Sequence, residues 1–354
     1  MKTYRLEGEI LSPVHIGTSQ VWEPLEYYID STQNQLHQFS TEEILARLNE
    51  IERQEFYKLI DQENLKLVKN FITQKAKSQG GSNGKHPIPV SPAVGRLYDE
   101  KIDDIANQLL IQPMIRTKDS GGVILPGSSL KGAIRTAIIS QIAGNSDLPK
   151  PRKHEIRFFE SNVLEYKDAK NDPFRAVKIA DAFLGTDATF ICQVFNCSKN
   201  KDNVLQPTKI QLIHEVTHSE LSFNIYGKHV TFETELRLDD ALMRDNRAVS
   251  RKISVEEILS ACNHFYRDKM EMEHDKFYEG SFMADESAQL LDIPISENEC
   301  LLRVGRFSGV ESVTLDEYRD PQPPGKDKRW GFSRNIADER FPMGWIKIRL
   351  IPQA

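Results

Sequence analysis

Between Leu125 and Ile138 the sequence reads LPGSSLKGAIRTAI, a turn that runs straight into a helix. Leu130, Ile134, Ile138 and Ile142 recur every fourth residue, so they form one apolar stripe that has to be buried. Pro126 and Gly127 make the turn, and Ser128 or Ser129 is placed to cap the helix. The free amides of the first turn, with the helix dipole behind them, make an anion site. Lys131 and Arg135 are one turn apart, with Cβ atoms about 5–6 Å from each other, a spacing that suits two successive phosphates. Gly132 costs about 1 kcal/mol against alanine inside a helix, a cost that close approach of a backbone or ligand would explain. On spacing alone, a grip on a phosphate backbone and a plain amphipathic helix with solvated cations serve the residues equally.

Around this helix the periodicities point to a sheet. YRLEGEILSPVHIG predicts a first strand and a loop. After about residue 176, VKIADAF, TFICQVFNC, KIQLIHEVTH, ELSFNIY and HVTFETELRL follow one another between short turns and predict an antiparallel meander. Two helices are expected over 41–77, with Ser40 or Thr41 and Glu43 as the cap, and a flexible break over 80–95. A later helix from about Ser254 to Tyr278 carries a capping box of Ser254 and Glu257. CLLRVGR, a glycine-containing loop, a basic loop PQPPGKDKRWGF and a strand WIKIRLI complete the chain. The order is strand, insertion, helix, several strands, helix, strand, which fits a ferredoxin-like α+β fold in one domain over 1–354. It carries a mainly helical insertion over 40–118 and a loop insertion over 145–175, with the core resuming over 177–354. Such a sheet leaves one face open, and RNA-recognition modules use that face.

The 354 residues carry 46 basic and 52 acidic side chains, a formal net charge of −6, which counts against nucleic-acid binding through overall charge. Three local basic patches remain: Lys150, Arg152, Lys153 and Arg157; Arg303 and Arg306; and Lys326, Lys328, Arg329 and Arg334. Four scattered cysteines predict no disulfide framework. No secretory signal or apolar run of bilayer length is read, and the expected location is the cytoplasm, away from membranes.

Two enzymatic chemistries compete with a backbone grip. Gly122 and Gly127 have the spacing of a nucleotide-phosphate loop, but Ser128 stands where such a loop requires lysine. HEVTH, His214 to His218, matches a zinc-protease motif that works only on a helix, and its flanks alternate like a strand. In a strand the two histidines lie about 13 Å apart, too far to share an ion, so no metal and no cofactor are expected. A metal-dependent ribonuclease built on Glu23, Asp30 and the HEVTH pair is the alternative function.

SPVHIGTS, LPGSSLKGAIRTAI, VKIADAF and LLRVGRFSGVES occur in the order found in the RAMP superfamily of CRISPR proteins. More narrowly, the chain resembles the Csm-type subunit that caps the backbone of the type III-A effector at the guide RNA's 3′ end. The likeness runs along the core and omits the insertions. It implies a modified RNA-recognition fold that holds CRISPR RNA (crRNA), with target RNA nearby, and takes part in maturing the crRNA intermediate in antiviral defence. The implied partners are other Csm-type backbone and small subunits, with host nucleases in trimming. Carried onto this chain, the resemblance puts Gly127, Ser128, Ser129, Lys131 and Arg135 along the guide backbone, Arg303, Gly305 and Arg306 beside them, and His15 and Gly17 near the same groove. Sister subunits cut target RNA with an aspartate just ahead of a proline. Here Trp22 and Glu23 precede Pro24, so the resemblance implies no catalytic residue and no target cleavage. Trp22, Tyr27, Tyr28 and Trp330 are candidates for stacking on bases, with one of the two tyrosines expected in the core.

Overall fold

The structure is a computed structural model that describes residues 1–79, 86–104, 109–146, 149, 156–245, 247–315, 318–319 and 330–353. Strand β1 (Lys2–Ile10) alternates as its pattern requires, burying Leu6, Gly8 and Ile10 and leaving Arg5, Glu7 and Glu9 partly exposed. The chain then leaves the core through β2 (Tyr27–Asp30), β3 (Gln35–Gln38), α1 (Thr41–Ala46), α2 (Glu50–Asp61), α3 (Leu65–Ser78), β4 (Ile88–Pro89) and α4 (Pro92–Lys101). Three helices stand over 41–78 where two were expected, because each has its own cap. Ser40 accepts the Glu43 amide, Asn49 and Glu52 form a capping box, and Asn64 accepts the Leu67 amide. Of the expected break, residues 80–85 lie outside the described residues, whereas Ile88 and Pro89 pair with β3 and Ser91 caps α4. This insertion has a small core of its own, around Tyr28, Phe39, Ile44, Phe71 and Ile72.

The chain returns through β5 (Ile111–Gln112), β6 (Val123–Leu125) and α5 (Gly127–Gly144). Helix α6 (Ile156–Val163) occupies part of the stretch expected to be loop. Then come β7 (Val177–Ile179), β8 (Ala182–Gly185), β9 (Thr189–Lys199), β10 (Leu205–Thr217), α7 (Phe223–Tyr226), β11 (Thr231–Leu238), α8 (Asp240–Arg244) and α9 (Val255–Glu273). The last elements are α10 (Ala284–Leu291), β12 (Glu299–Arg303), α11 (Val310–Val313), β13 (Ser333–Ala337), β14 (Phe341–Pro342) and β15 (Trp345–Pro352).

The expected meander is divided between two sheets. An antiparallel sheet runs in the order β12-β15-β1-β11-β7, and a second runs β14-β13-β9-β10-β5, with β5 parallel to β10. ELSFNIY is not a strand. Ser219 and Ser222 bond to each other's backbone and the chain closes into α7, ended by Gly227 at φ +66°; such local serine bonds compete with a ladder.

Helices α5 and α9 cover one face of the first sheet, and the core between them takes in Leu6, Ile10, Leu130, Ile134, Ile258 and Trp345. The Tyr266 hydroxyl of α9 donates to the Ala133 carbonyl of α5 at 3.0 Å. This is the α+β, ferredoxin-like arrangement that the order of segments predicts. The face expected to be open to RNA carries a lattice of charges: Arg5–Glu7 at 3.0 Å, Lys347–Glu9 at 2.9 Å and Arg349–Glu299 at 2.5 Å. The hollow on this face is lined by Glu7, Glu9, Glu233 and Glu299 together with Lys347 and Arg349, so its cations are paired with carboxylates of the same chain. No helix among the described residues is long and apolar enough to cross a membrane.

Candidate nucleic-acid interface

Helix α5 is delivered by β6, which pairs with β8. Gly122 and Gly127 thus flank a strand, and the apparent phosphate loop does not exist. Gly127 is needed for packing, since a Cβ there would lie 2.2 Å from the Ile179 carbonyl oxygen. Its amide donates to Asp181 Oδ1 at 2.8 Å. Neither Ser128 nor Ser129 caps the helix: Pro126 holds the cap position, and the only side chain that accepts a first-turn amide among the described bonds is that of Asp181. The anion site expected at this terminus is occupied by the chain's own Asp181, which the helix dipole favours as it would a phosphate.

The cavity that joins the sequence motifs lies on the flank of α5. It holds about 510 Å³ and is walled by three segments. Ile16, Gly17 and Thr18 leave the end of β1. Ser129, Gly132, Ala133 and Thr136 form one stripe of α5, at i, i+3, i+4 and i+7, and all four are small. Arg303, Gly305, Arg306 and Ser308 come from β12 and its glycine loop, with Ser312 and Val313 of α11 at the rim. Gly305 has φ +91°, and a Cβ there would sit 2.6 Å from the His15 carbonyl oxygen. The Arg306 amide donates to that same oxygen at 2.9 Å, so glycine lets the loop cross the strand end. At Gly132 a Cβ would meet nothing within 4 Å; the missing side chain widens the groove. Arg306 is exposed above the Phe307 ring, its guanidinium carbon 5.9 Å from the centroid, and has no ion-pair partner among the described residues. Among the described residues, no carboxylate lines the groove.

Other expected contacts are drawn elsewhere. At about 100° per residue, Lys131 and Arg135 lie on the side of α5 away from the groove, beyond the buried stripe. Arg135 is committed to the chain itself: Nη1 meets Asp172 at 2.9 and 3.0 Å, Nε meets Glu160 at 2.9 Å, and Nη2 donates to the Tyr166 hydroxyl at 3.1 Å. Burial opposes its charge, but the Asp172 and Glu160 carboxylates hold its pKa above the usual arginine range. Lys131 is half-buried, and desolvation lowers its pKa. Arg303 reaches the groove only with its edge, its guanidinium being buried against Trp345, with 4.7 Å to the ring centroid. Trp22 packs against a core of the insertion, its amide bonded to the Ile111 carbonyl at 2.8 Å. Both tyrosines, not one, are internal: the Tyr27 hydroxyl donates to the Leu109 carbonyl at 2.5 Å, and Tyr28 stacks on His37. Trp330 lies under the Arg319 guanidinium. Of the basic patches, Lys150, Arg152, Lys153, Lys326, Lys328 and Arg329 lie outside the described residues, as does the Arg157 side chain.

HEVTH lies at the end of β10 and just beyond it, as its flanks predict, and acts as a lock. The buried Glu215 carboxylate takes the Met114 amide at 2.8 Å, the Thr189 hydroxyl at 2.5 Å and Arg116, tying the end of the insertion to the second sheet. His15 is buried directly behind Gly17, its Nδ1 2.7 Å from the Glu215 carbonyl oxygen and its ring 4.6 Å from that of His214. His218 stacks on Phe190. The alternative ribonuclease loses its geometry. Glu23 sits in a turn, Asp30 bonds to Thr32, and the group of metal-capable side chains within reach of one another, among the described residues, is Glu9, Glu220 and His229. Lys347 already pairs with Glu9 there.

An antiparallel sheet backed by two helices, with a groove where strand end, helix and glycine loop meet, defines a ferredoxin-like α+β protein. The chain belongs to the RAMP superfamily, whose family model matches residues 7–310. It is 24% identical over 290 residues to the CRISPR system Cms protein Csm5 of Methanocaldococcus jannaschii, an alignment covering 77% of this chain and 64% of that protein. The chain thus spans less than two thirds of the length of the curated relative it matches. Among solved structures it is similar to a chain of a Csm-crRNA-target RNA ternary complex of a type III-A CRISPR-Cas system, with a TM-score of 0.68 at 18% identity and all of both chains covered. It is also similar to T. onnurineus Csm5, with a TM-score of 0.61 at 18% identity, covering 96% of this chain and 99% of that one. At such identities the likeness is one of fold.

Two outcomes follow from these placements. Arg135→Met should cost about 2 kcal/mol of stability in urea unfolding, through lost charged hydrogen bonds, while leaving RNA affinity unchanged in fluorescence anisotropy. The second concerns pH: burial lowers His15 to about 4, His214 to about 3 and His218 to about 4, and at His15 the contact with the Glu215 carbonyl partly offsets it. The unfolded chain, with ordinary values near 6.5, therefore binds protons first as pH falls. Stability present above that value should be lost between about pH 6.5 and 4, by roughly 2 kcal/mol per histidine at pH 5, read as a falling urea midpoint that His218→Phe blunts.

Proposed function

We propose that the chain is an RNA-binding subunit of a type III-A CRISPR effector. It holds the crRNA backbone at the 3′ end in the groove between the β1 exit, α5 and the glycine loop, beside target RNA, and caps the backbone filament next to other Csm-type subunits. It acts in the cytoplasm, serves maturation of the crRNA intermediate by holding RNA that host nucleases trim, and contributes no catalytic group of its own. The observation that carries this reading is the groove itself. In a protein of net charge −6, three separate motif segments converge on a cavity lined by an exposed arginine, five serine and threonine side chains (Thr18, Ser129, Thr136, Ser308 and Ser312), Tyr266 and no carboxylate among the described residues.

The chemistry of these walls suits a backbone and not a base code. Hydroxyls and one cation meet phosphate and ribose, and Gly17, Gly132 and Gly305 let the strand come close, so the grip is indifferent to sequence. That is what a guide of variable spacer needs. The crRNA and target RNA of the similar Csm complex agree with this chemistry, and the reading stands on the groove.

The test uses the purified chain and a labelled single-stranded RNA. Arg306→Ala should weaken binding and lower the slope of log affinity against log salt by about 0.7, the value of one phosphate contact on a single strand. Gly132→Leu should abolish binding by filling the groove, while thermal stability holds or rises, since glycine costs about 1 kcal/mol in a helix interior. RNA affinity unchanged in both variants would overturn the reading.

A further inference from the structure

Beneath the groove runs a chain of buried charges that joins its wall at Arg303 and, next to Ser312, at Glu311. Glu273, at the end of α9 and 1% exposed, receives two guanidinium groups on one oxygen: Arg303 Nη2 of β12 at 2.8 Å and Arg334 Nε of β13 at 2.5 Å. Its other oxygen accepts the Trp345 indole N–H at 3.3 Å. Arg334 Nη2 continues to Glu311 Oε1 of α11 at 3.2 Å, and Lys276 stands 3.9 Å beyond. Arg303 Nε donates to the Met343 carbonyl at 3.0 Å. Arg334 lies over the Phe277 ring, 4.1 Å from its centroid. Burial raises the Glu311 carboxyl and the neighbouring Arg334 overcomes it, so the net shift is downward.

Two features set this relay apart from ordinary core. It joins both sheets, since β12 belongs to the first and β13 to the second. Both of its ends touch groove walls: Arg303 precedes the glycine loop, and Glu311 sits beside Ser312 and Val313. A buried ion relay contributes little stability over packed apolar side chains of the same volume, but it permits few arrangements.

We propose that Glu273 is a positioning residue of the RNA grip: by binding Arg303 and Arg334 together, it sets the glycine loop and α11 at the spacing from α5 that a single-stranded RNA backbone requires. The proposal rests on the groove's being the RNA site. It also gives Arg303 a different role from the direct RNA contact expected from sequence, since its charge is spent inward.

The experiment compares two variants by anisotropy with the same labelled RNA across a salt series. The first, Glu273→Met with Arg303→Met, Arg334→Met and Glu311→Gln, removes two positive and two negative charges together and leaves no buried charge stranded. The second, Glu311→Gln, keeps the buried triad and changes only the outer link. The first should bind RNA at least tenfold more weakly and the second about threefold, both with the wild-type salt slope, because no phosphate contact has been removed. Wild-type affinity in whichever variant folds overturns the proposal. So does a slope reduced as in Arg306→Ala, which would make Arg303 a direct phosphate contact. Arg306→Ala in the same assay separates the two readings: if it too binds normally, the groove is not the RNA site, and if it alone is impaired, only the positioning role fails.

Discussion

Leu130, Ile134, Ala137 and Ile138 of α5 are all removed from water, and that constraint decides what every other residue of the helix can do. Burying the leucine and the two isoleucines is worth roughly 2 kcal/mol each, far more than any surface contact of a lysine or arginine. The apolar stripe therefore sets the helix's rotation. Its flanks follow: one carries the small residues Ser129, Gly132, Ala133 and Thr136 into the groove, and the other carries Lys131 and Arg135 away from it. The pair of cations that made the segment look like a phosphate grip lies on the flank away from the groove. The stripe of small side chains that looked inert forms the wall.

A second constraint is the competition for charge. A helix amino terminus and two arginines invite anions, and in this fold carboxylates of the same chain take most of the invitations. Asp181 holds the Gly127 amide, Asp172 and Glu160 hold Arg135, and Glu273 holds Arg303. Arg306, left exposed over Phe307, is the groove cation without a carboxylate partner among the described residues. With 52 acidic residues in the chain, internal pairing is the expected fate of a cation unless the surroundings exclude carboxylates, as the groove lining does.

Several elements were legible in the sequence. The alternation of YRLEGEI, the cap of Ser254 on a long amphipathic helix and the strand flanks of HEVTH all rest on local periodicity, and local periodicity survives folding. Elements that depended on serine or asparagine were harder. ELSFNIY has the composition of a strand, yet Ser219 and Ser222 turn it, and the caps at Asn49 and Asn64 make three helices of the expected two. The tyrosines at 27 and 28 point to opposite faces of a strand, so one of them is expected at the surface. Both are buried because the insertion packs on each side of β2.

The sequence by itself determined the class of fold, the position of α5 and the family, because each is written in local periodicity and short motif segments. Tertiary structure alone decided which cations are free, because a guanidinium's partner is chosen by distance and burial. Glu273, Arg303 and Arg334 are spread over 62 positions of the chain and meet on one carboxylate oxygen. No periodicity in the sequence records such a meeting.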